Sequence, residues 1–260
     1  MSGICYPHVA GMFYPEDPEE LTQTITRYLN QVKAHHPVPK AIISPHAGYS
    51  YSGPIAASAL ACLKTSSIQT VILFGPSHRF PVQGLAVTQS DFYETPLGDI
   101  PIDQDIVEKL LVLPQVQISE EAFKAPENSI ETQLPFLQMA LKTFKIVPLL
   151  VGFASENQVA EVMERVWDHS TTLIIVSSDL SHYYDYSTAN ALDRATAEAI
   201  TQLAPELIDD DKACGGIGVR ALLKVAKKKG LKAYCIDLRN SGDIAKSYDQ
   251  VVGYGAFHFR

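Results

Sequence analysis

The sequence predicts an α/β protein with a mainly parallel central sheet flanked by helices on both faces. Three observations predict it. Short apolar runs recur at Ala41 to Ile43, Thr70 to Phe74, Lys145 to Val151 and Thr171 to Val176, as expected of strands covered on both sides. Stretches with apolar residues at helical spacing separate them, which implies βαβ units. Three of the runs also lead directly to a histidine: His46 after Pro45, His78 after Gly75-Pro76-Ser77, and His182 after Asp179-Leu180-Ser181. Ligands of open α/β sheets sit outside the carboxyl ends of the strands, where such loops lie.

The elements follow in order. Residues 8 to 16 read as an irregular arm with aromatic anchors. Asp17-Pro18-Glu19-Glu20 opens the first helix with an acid cap and a first-turn proline, and Leu21, Ile25, Tyr28, Leu29 and Val32 form its apolar stripe. The His35-His36 pair before Pro37-Val38-Pro39 reads as solvated linker rather than as a metal pair. A strand at about 40–45 and a helix over 54–64 come next, then a strand at 70–75, a short strand from Gly84, and a turn-rich segment from Tyr93. Helices are expected from Asp103 and from Ser129, the second with a kink or early turn at Pro135. A strand over 145–151 leads to a helix from Ser155 with a Ser-x-x-Gln start, and the strand over 171–176 follows. Tyr186 to Leu203 and Asp211 to Lys229 read as helices. The second is entered through Cys214-Gly215-Gly216, and its lysines complement the helix end. Strands near 231–237 and 250–259 close the chain around the turn residues Arg239 to Asp243. No linker or low-complexity stretch interrupts the alternation, so a single domain over 1–260 is the simplest account.

Composition narrows the function classes. The chain has 260 residues, 46% apolar and 19% charged, with a formal net charge of −8. An acidic balance argues against nucleic acid or an anionic membrane as partner, since either needs a basic surface. Cys5, Cys62, Cys214 and Cys235 are far apart and form no C-x-x-C pair, which suits reduced thiols. No signal segment and no membrane-length apolar run is visible. The expectation is a soluble, cytoplasmic protein.

Neutral imidazole and carboxylate together form the ligand set of divalent iron and zinc, and two histidines with one carboxylate leave positions open for substrate. His46, His78, His182, Asp179 and Asp243 are the residues of this type at strand ends. Glu127 and Glu131 share a helix face, either as solvated capping residues or as partners that orient a ligand histidine. The glycine-rich Cys214 turn offers amides to an anion, with Cys214 a packed thiol or a site residue. Ser77 with His182 and Asp179 forms a hydrolase triad only on paper, because Gly75-Pro76-Ser77-His78-Arg79 lacks the second glycine of a nucleophile elbow. Tyrosines such as Tyr49 and Tyr183 cluster around the histidine loops and suit aromatic ligands.

Ala10-Gly-Met-Phe-Tyr-Pro15, Pro45-His-Ala-Gly-Tyr49, Gly75-Pro-Ser-His78, Glu127-x-Ser-Ile-Glu131 and Ser177-Ser-Asp-x-Ser-His182 together resemble the Memo family (mediator of cell motility), whose prokaryotic members are also called AmmeMemoRadiSam system protein B. The resemblance implies an α/β domain similar to class III extradiol ring-cleaving dioxygenases, which hold iron(II) on two histidines and a carboxylate. By motif position His46 and His78 match the metal ligands, and His182 the acid/base group with Asp179 beside it. The animal members look to take a third ligand, a cysteine, from the loop before the last strand. Here that loop is Asn240-Ser241-Gly242-Asp243-Ile244-Ala245, with Ile244 at or near the cysteine position, and Asp243 would restore a carboxylate. The expected metal is iron(II), with copper or zinc as alternatives.

Two functions follow from the resemblance and the residues together. One is a dioxygenase-like redox enzyme acting on a small phenolic substrate, with Tyr49, Arg79, Tyr183, Glu131 and Cys214 lining the substrate site. The other is a binding protein without turnover that holds a phosphorylated or aromatic ligand in the same pocket. Phosphate recognition would draw on Arg79 and, as a second arginine, Arg239.

Overall fold

The four apolar runs form the middle of the sheet. A computed structural model of the chain describes residues 3–33, 36–167 and 171–260; His35 lies outside the described residues. In chain order the elements are β1 (Ile4–Cys5), α1 (Pro18–Gln31), β2 (Ala41–Ser44), α2 (Tyr49–Leu60), β3 (Thr70–Pro76), β4 (Leu85–Val87), β5 (Phe92–Thr95), β6 (Gly98–Pro101) and α3 (Gln104–Leu110). Then come β7 (Val116–Ile118), α4 (Glu120–Lys124), α5 (Asn128–Glu131), α6 (Leu134–Ala140), β8 (Lys145–Val151), α7 (Glu156–Arg165), β9 (Thr172–Ser177) and β10 (His182–Tyr184). The chain ends with α8 (Tyr186–Thr201), α9 (Gly216–Lys228), β11 (Ala233–Asn240), α10 (Ser241–Ala245) and β12 (Val251–Phe259).

The main sheet has the order β10-β12-β2-β9-β3-β8-β4-β7, with β11 paired to β12. β2, β9, β3 and β8 are parallel neighbours. Antiparallel pairs flank this block, where β12 meets β2 and β11 and where β4 meets β8. α1, α2 and α6 pack together, with α2 on β2, β11 and β12, while α7 and α9 pack together with α9 on β3 and β9. Pro148 sits inside β8, which would ordinarily break a central strand. β4 reaches only Leu150 and Val151, and Ile102 bridges Ile146, so Pro148 falls between these pairings and its missing N–H leaves no ladder bond unmade.

Several expected boundaries shift for physical reasons. α2 begins at Tyr49, so Pro54 lies inside it, just past the first turn. The expected helix from Ser129 is two short pieces, α5 and α6, with Pro135 at the start of the second, where a missing N–H costs nothing. The turn-rich segment from Tyr93 is the β5–β6 hairpin, which pairs with β1 in a small separate sheet. The segment Asn240 to Asp243 is a strand end and helix cap rather than an open loop. No described helix is long and apolar enough to cross a membrane.

The N-terminal arm is tied down by one carboxylate. Glu131, fully buried, accepts hydrogen bonds from the backbone N–H of His8 (2.7 Å) and of Val9 (2.9 Å) and from the Tyr14 hydroxyl (2.6 Å). This corrects its expected role at the substrate: the side chain is saturated by the arm. Truncating it would strand three donors, each costing about 1–3 kcal/mol when buried without a partner. Glu131→Ala should therefore lower unfolding stability by roughly 3 kcal/mol or more, read from urea midpoints. A loss below about 1 kcal/mol would show that the arm is held by other contacts.

Candidate metal centre

Three strand ends and one helix entrance supply the site. His46 follows β2, His78 follows β3, Asp179 follows β9, and Cys214 precedes α9. His46, His78 and Cys214 each offer one ligand atom, and these atoms lie within 4.8 Å of one another. The Nε2 atom of His46 is 3.2 Å from the Cys214 sulfur, and the two imidazole rings are 5.3 Å apart at 70°. A single first-row ion with bonds of about 2.0–2.3 Å fits between donors spaced this closely.

Each ligand is aimed by a second group. The carboxylate of Glu127 accepts from the His78 backbone N–H (2.5 Å) and lies 3.0 Å from Nδ1. That contact assigns the Nδ1 proton to the Glu127 side and leaves Nε2 facing the cluster. Burial pushes the Glu127 acid up, but the bonds from His78 and Ser129 outweigh it, so the net direction is downward and the group is a carboxylate. His46 is held through Nδ1 by the Ser177 hydroxyl at 2.9 Å, and Gln133 donates to the same oxygen at 3.0 Å. A hydroxyl oxygen has two lone pairs, so Ser177 can accept from both and leave Nε2 of His46 free of a proton. Glu127 thus answers the open choice between capping and ligand orientation on both counts, since it also accepts from Ser129 N.

The electrostatics favour neutral donors. Burial, followed by the nearby His78 charge, pulls the His46 imidazole down to about 3, so its ring is unprotonated at neutral pH. Burial, followed by the charge of Asp179, pushes the Cys214 thiol up to about 12. A buried thiol of this kind ionises only when a cation takes the place of its proton. The Asp179 N–H donates to the sulfur at 3.3 Å. Close approach here needs Gly215, where a Cβ would meet the Ser177 carbonyl oxygen at 2.6 Å.

The other expected site residues fall in different places. Asp243 does not join the cluster. Its carboxylate accepts from the Asn240 N–H (2.9 Å) and the Tyr186 hydroxyl (2.6 Å), completing a capping box with Asn240. The third member of the cluster is instead Cys214, expected from the sequence at the substrate. Asp179 is buried and accepts from the His46 N–H at 2.8 Å; burial raises its acid to about 6. No hydrogen bond joins it to His182 among the described residues. His182 is half-buried, its ring 5.7 Å from that of Tyr183 and without a hydrogen bond among the described residues. It is near enough that its charge bears on both His46 and Asp179. Tyr183 is 71% exposed in a left-handed backbone conformation (φ 64°) at the irregularity between His182 and Tyr184. Tyr49 is buried against Tyr14 and Phe136, with its hydroxyl donating to Thr132 O at 2.7 Å, so it packs the interior and does not reach a ligand. Ser77 donates to Phe80 O at 2.7 Å, and no hydrogen bond links it to His182 among the described residues, so the triad is not assembled. Arg239 is paired with Asp237, so of these two arginines it is Arg79 that stands at the cavity beside the cluster.

That cavity, about 580 Å³, opens beside the cluster and is lined by His78, Cys214 and Arg79 with apolar side chains from the β3, β8 and β9 ends and from α9. Taken together, fold and site define an α/β protein with a two-histidine, one-cysteine cluster at the carboxyl ends of parallel strands. The chain belongs to the Memo family: the family profile, described as Memo-like protein, matches residues 6–258. A MEMO1 family protein of Aquifex aeolicus is 36% identical over 260 residues, covering 95% of this chain and 96% of the relative. Another, from Methanocaldococcus jannaschii, is 34% identical and covers 98% and 99%. A third, from Thermoplasma volcanium, is 32% identical and covers 96% of each. Among solved structures, an uncharacterized protein from Escherichia coli K12 aligns with a TM-score of 0.55 at 14% identity, over 82% of this chain and 98% of its own. At that identity the likeness is one of fold, here the expected α/β architecture with a mainly parallel central sheet between helices.

One buried acid near His182 makes a measurable contribution to stability. Asp193, on α8, accepts from the Ser181 N–H at 3.0 Å, while its second oxygen has no partner among the described residues. Gly253 lies so close that a Cβ there would meet this oxygen at 2.0 Å. Burial raises the folded-state pKa to about 6, against bonds from Ser181 that lower it. The unfolded chain ionises this acid first, so its contribution is fully present below about pH 4 and is lost as pH rises toward 6. Asp193→Asn keeps the shape and removes the charge. Relative to wild type it should be near neutral at pH 4 and stabilising by on the order of 2 kcal/mol at pH 7. Equal midpoint differences at the two pH values would contradict this.

Proposed function

We propose that this Memo-family protein is a metal-dependent redox enzyme acting on a small phenolic or related substrate. In this reading one first-row transition ion is held by Nε2 of His46, Nε2 of His78 and Sγ of Cys214. The observation that carries it is the convergence of two oriented imidazoles and a thiol beside a cavity of about 580 Å³. With a thiolate where a carboxylate was expected, the donor set is softer and suits copper as well as iron(II). The bound ion would supply Lewis acidity and electron transfer.

The chain's own groups do the rest. Glu127 and Ser177 hold the two rings through their Nδ1 atoms, so the ligand nitrogens need no reorganisation. The Asp179 N–H donates to the sulfur and stabilises it as thiolate. Walls of apolar side chains exclude water from the face where a substrate would lie. His182 lies outside the cavity lining, but its charge bears on His46 and Asp179 and its ring nitrogens carry no hydrogen bond among the described residues; it would exchange a proton with a substrate that reaches past the cluster to the His46 side, a contribution typically of ~10²–10⁴ in rate. The phosphorylated-ligand reading has weaker support, since a phosphate calls for several cationic donors and the cavity lining has one arginine.

Protein prepared under anaerobic conditions and given iron(II) or copper should retain about one ion per chain, by elemental analysis. His46→Ala and Cys214→Ser should each abolish retention, and full occupancy in either would end this assignment. Selective retention of zinc over both redox metals would end its redox part. Glu127→Gln should weaken metal affinity by about 10–100-fold without unfolding the chain. An unchanged affinity would assign Glu127 to the helix cap alone. Finally, Cys214 must lose its proton to bind while His46 has none to lose. The apparent affinity should therefore rise about tenfold per pH unit between pH 7 and 8. A flat profile by calorimetry would remove the thiol from the ligand set.

A further inference from the structure

The cavity beside the cluster carries a statement about what enters it. Phe74, Phe80, Val151, Val176 and Ile217 supply apolar wall, and Phe153 stands at the rim, 69% exposed. Two of the polar lining groups are already used inside the protein: the Ser77 hydroxyl donates to Phe80 O, and the Ser177 hydroxyl holds His46. Among the described residues no aspartate or glutamate lines the space, and Arg79 is the one arginine or lysine that does, beside His78. Among the described residues the Arg79 guanidinium has neither a carboxylate within salt-bridge distance nor a hydrogen bond. A chain with a net charge of −8 thus presents an unneutralised arginine at the mouth of an apolar pocket, next in sequence to a candidate metal ligand.

An apolar cleft with one cation and no anion selects a ligand with a hydrocarbon body and a single negative charge. A neutral phenol leaves the guanidinium without a partner. A cationic amine meets no counter-charge. A phosphate dianion meets only one strong donor where such groups usually have several. A planar carboxylate matches the guanidinium fork in two parallel bonds. The volume, within the usual ~300–1,000 Å³ of small-molecule sites, holds an aromatic ring with a short side chain. We propose that the site takes small aryl carboxylates, with the carboxylate on Arg79, the ring against Phe74 and Phe80, and the far end of the ring toward His78 and Cys214. This rests on the metal-centre reading for what the far end meets, but the carboxylate and ring contacts do not.

The test uses full-length protein, with and without added metal, and four probes: phenylacetate, phenylacetamide, phenol and phenyl phosphate. Calorimetry should give phenylacetate an affinity about tenfold or more above phenylacetamide, with phenyl phosphate no better than the carboxylate. Arg79 is exposed, so Arg79→Gln should fold normally and bring phenylacetate and phenylacetamide level. At Gly218 a Cβ already meets Val176 Cγ1 at 3.2 Å; Gly218→Leu should fill the cavity and weaken all ring-bearing probes while leaving metal content unchanged. Equal affinity for acid and amide, tighter binding of phenyl phosphate, retention of the preference in Arg79→Gln, or no binding of any probe would each overturn the proposal. Metal content measured on the same samples separates the two readings. Carboxylate preference in protein that retains no ion would sink the metal centre and leave this site standing. A full complement of ion without the preference would do the reverse.

Discussion

The site depends on one buried carboxylate that ties two strand-end loops together. Asp179 accepts from the N–H of His46, and its own N–H donates to the sulfur of Cys214. Its neighbour Ser178 accepts from Gly215 N and so draws the start of α9 against the end of β9. The spacing of His46 Nε2 and Cys214 Sγ is therefore fixed by backbone contacts to a single turn, not by the ligand side chains alone. Such a device is costly in isolation, because a fully covered carboxylate loses its hydration; the N–H bonds offset part of that loss. Parallel pairing of β2 and β9, in register from Ala41 opposite Ile174 to Ser44 opposite Ser177, brings the two loops level in the first place.

The same low-dielectric setting bears on how the cluster could take a metal. Covered His46 resists protonation and the covered Cys214 thiol resists ionisation, so these two meet as neutral groups in weak hydrogen-bond contact. A cation reverses the balance at sulfur while leaving the imidazoles as they are. The ring-holding groups on the far side differ in kind: a carboxylate behind His78, a hydroxyl behind His46. A carboxylate raises ligand basicity more than a hydroxyl does, so the two histidines are not equivalent donors. His78 is the more open to solvent.

The sheet and the two histidines were legible because both rest on local pattern. A buried parallel strand is an uninterrupted apolar run, and a histidine directly beyond one has few places to go except the rim. Cys214 was not legible as a member of the cluster. It stands before a glycine turn that reads equally as an anion cradle, and what makes it a donor is tertiary: α9 must pack on β9 closely enough for Gly215 to touch Ser177. Asp243 illustrates the opposite error. Asn240-x-x-Asp243 has the spacing of a capping box, a signal present in the sequence, and the local bonds it predicts compete directly with metal ligation for the same oxygens. Glu127 and Glu131 looked alike at four-residue spacing, but the kink before Pro135 ends α5 at Glu131. One carboxylate then faces the β3 loop and the other the N-terminal arm. The β5–β6 hairpin and β10 were missed because their strands are short and lack clean alternation, and their order comes from pairing partners far along the chain.

The cluster has two unlike sides, and that asymmetry bears on chemistry. His78 and Cys214 border the cavity, whereas His46 and His182 do not. A ligand in the cavity would therefore approach past the more open histidine and the sulfur, with the covered His46 behind them. His182 stands apart on β10, at the antiparallel end of the sheet, and its loop is set by Asp193 through Ser181. A proton-transfer group placed on a different strand pair from the donors can shift without disturbing their geometry. Its ring, unclamped by any hydrogen bond among the described residues and backed by a left-handed Tyr183, has the freedom that Glu127 and Ser177 deny to His78 and His46. In the proposed reading, clamped donors on the parallel block and a free imidazole on the antiparallel flank would separate metal holding from proton exchange, because the groups that would stay fixed and the one that would turn are carried by differently restrained parts of one sheet.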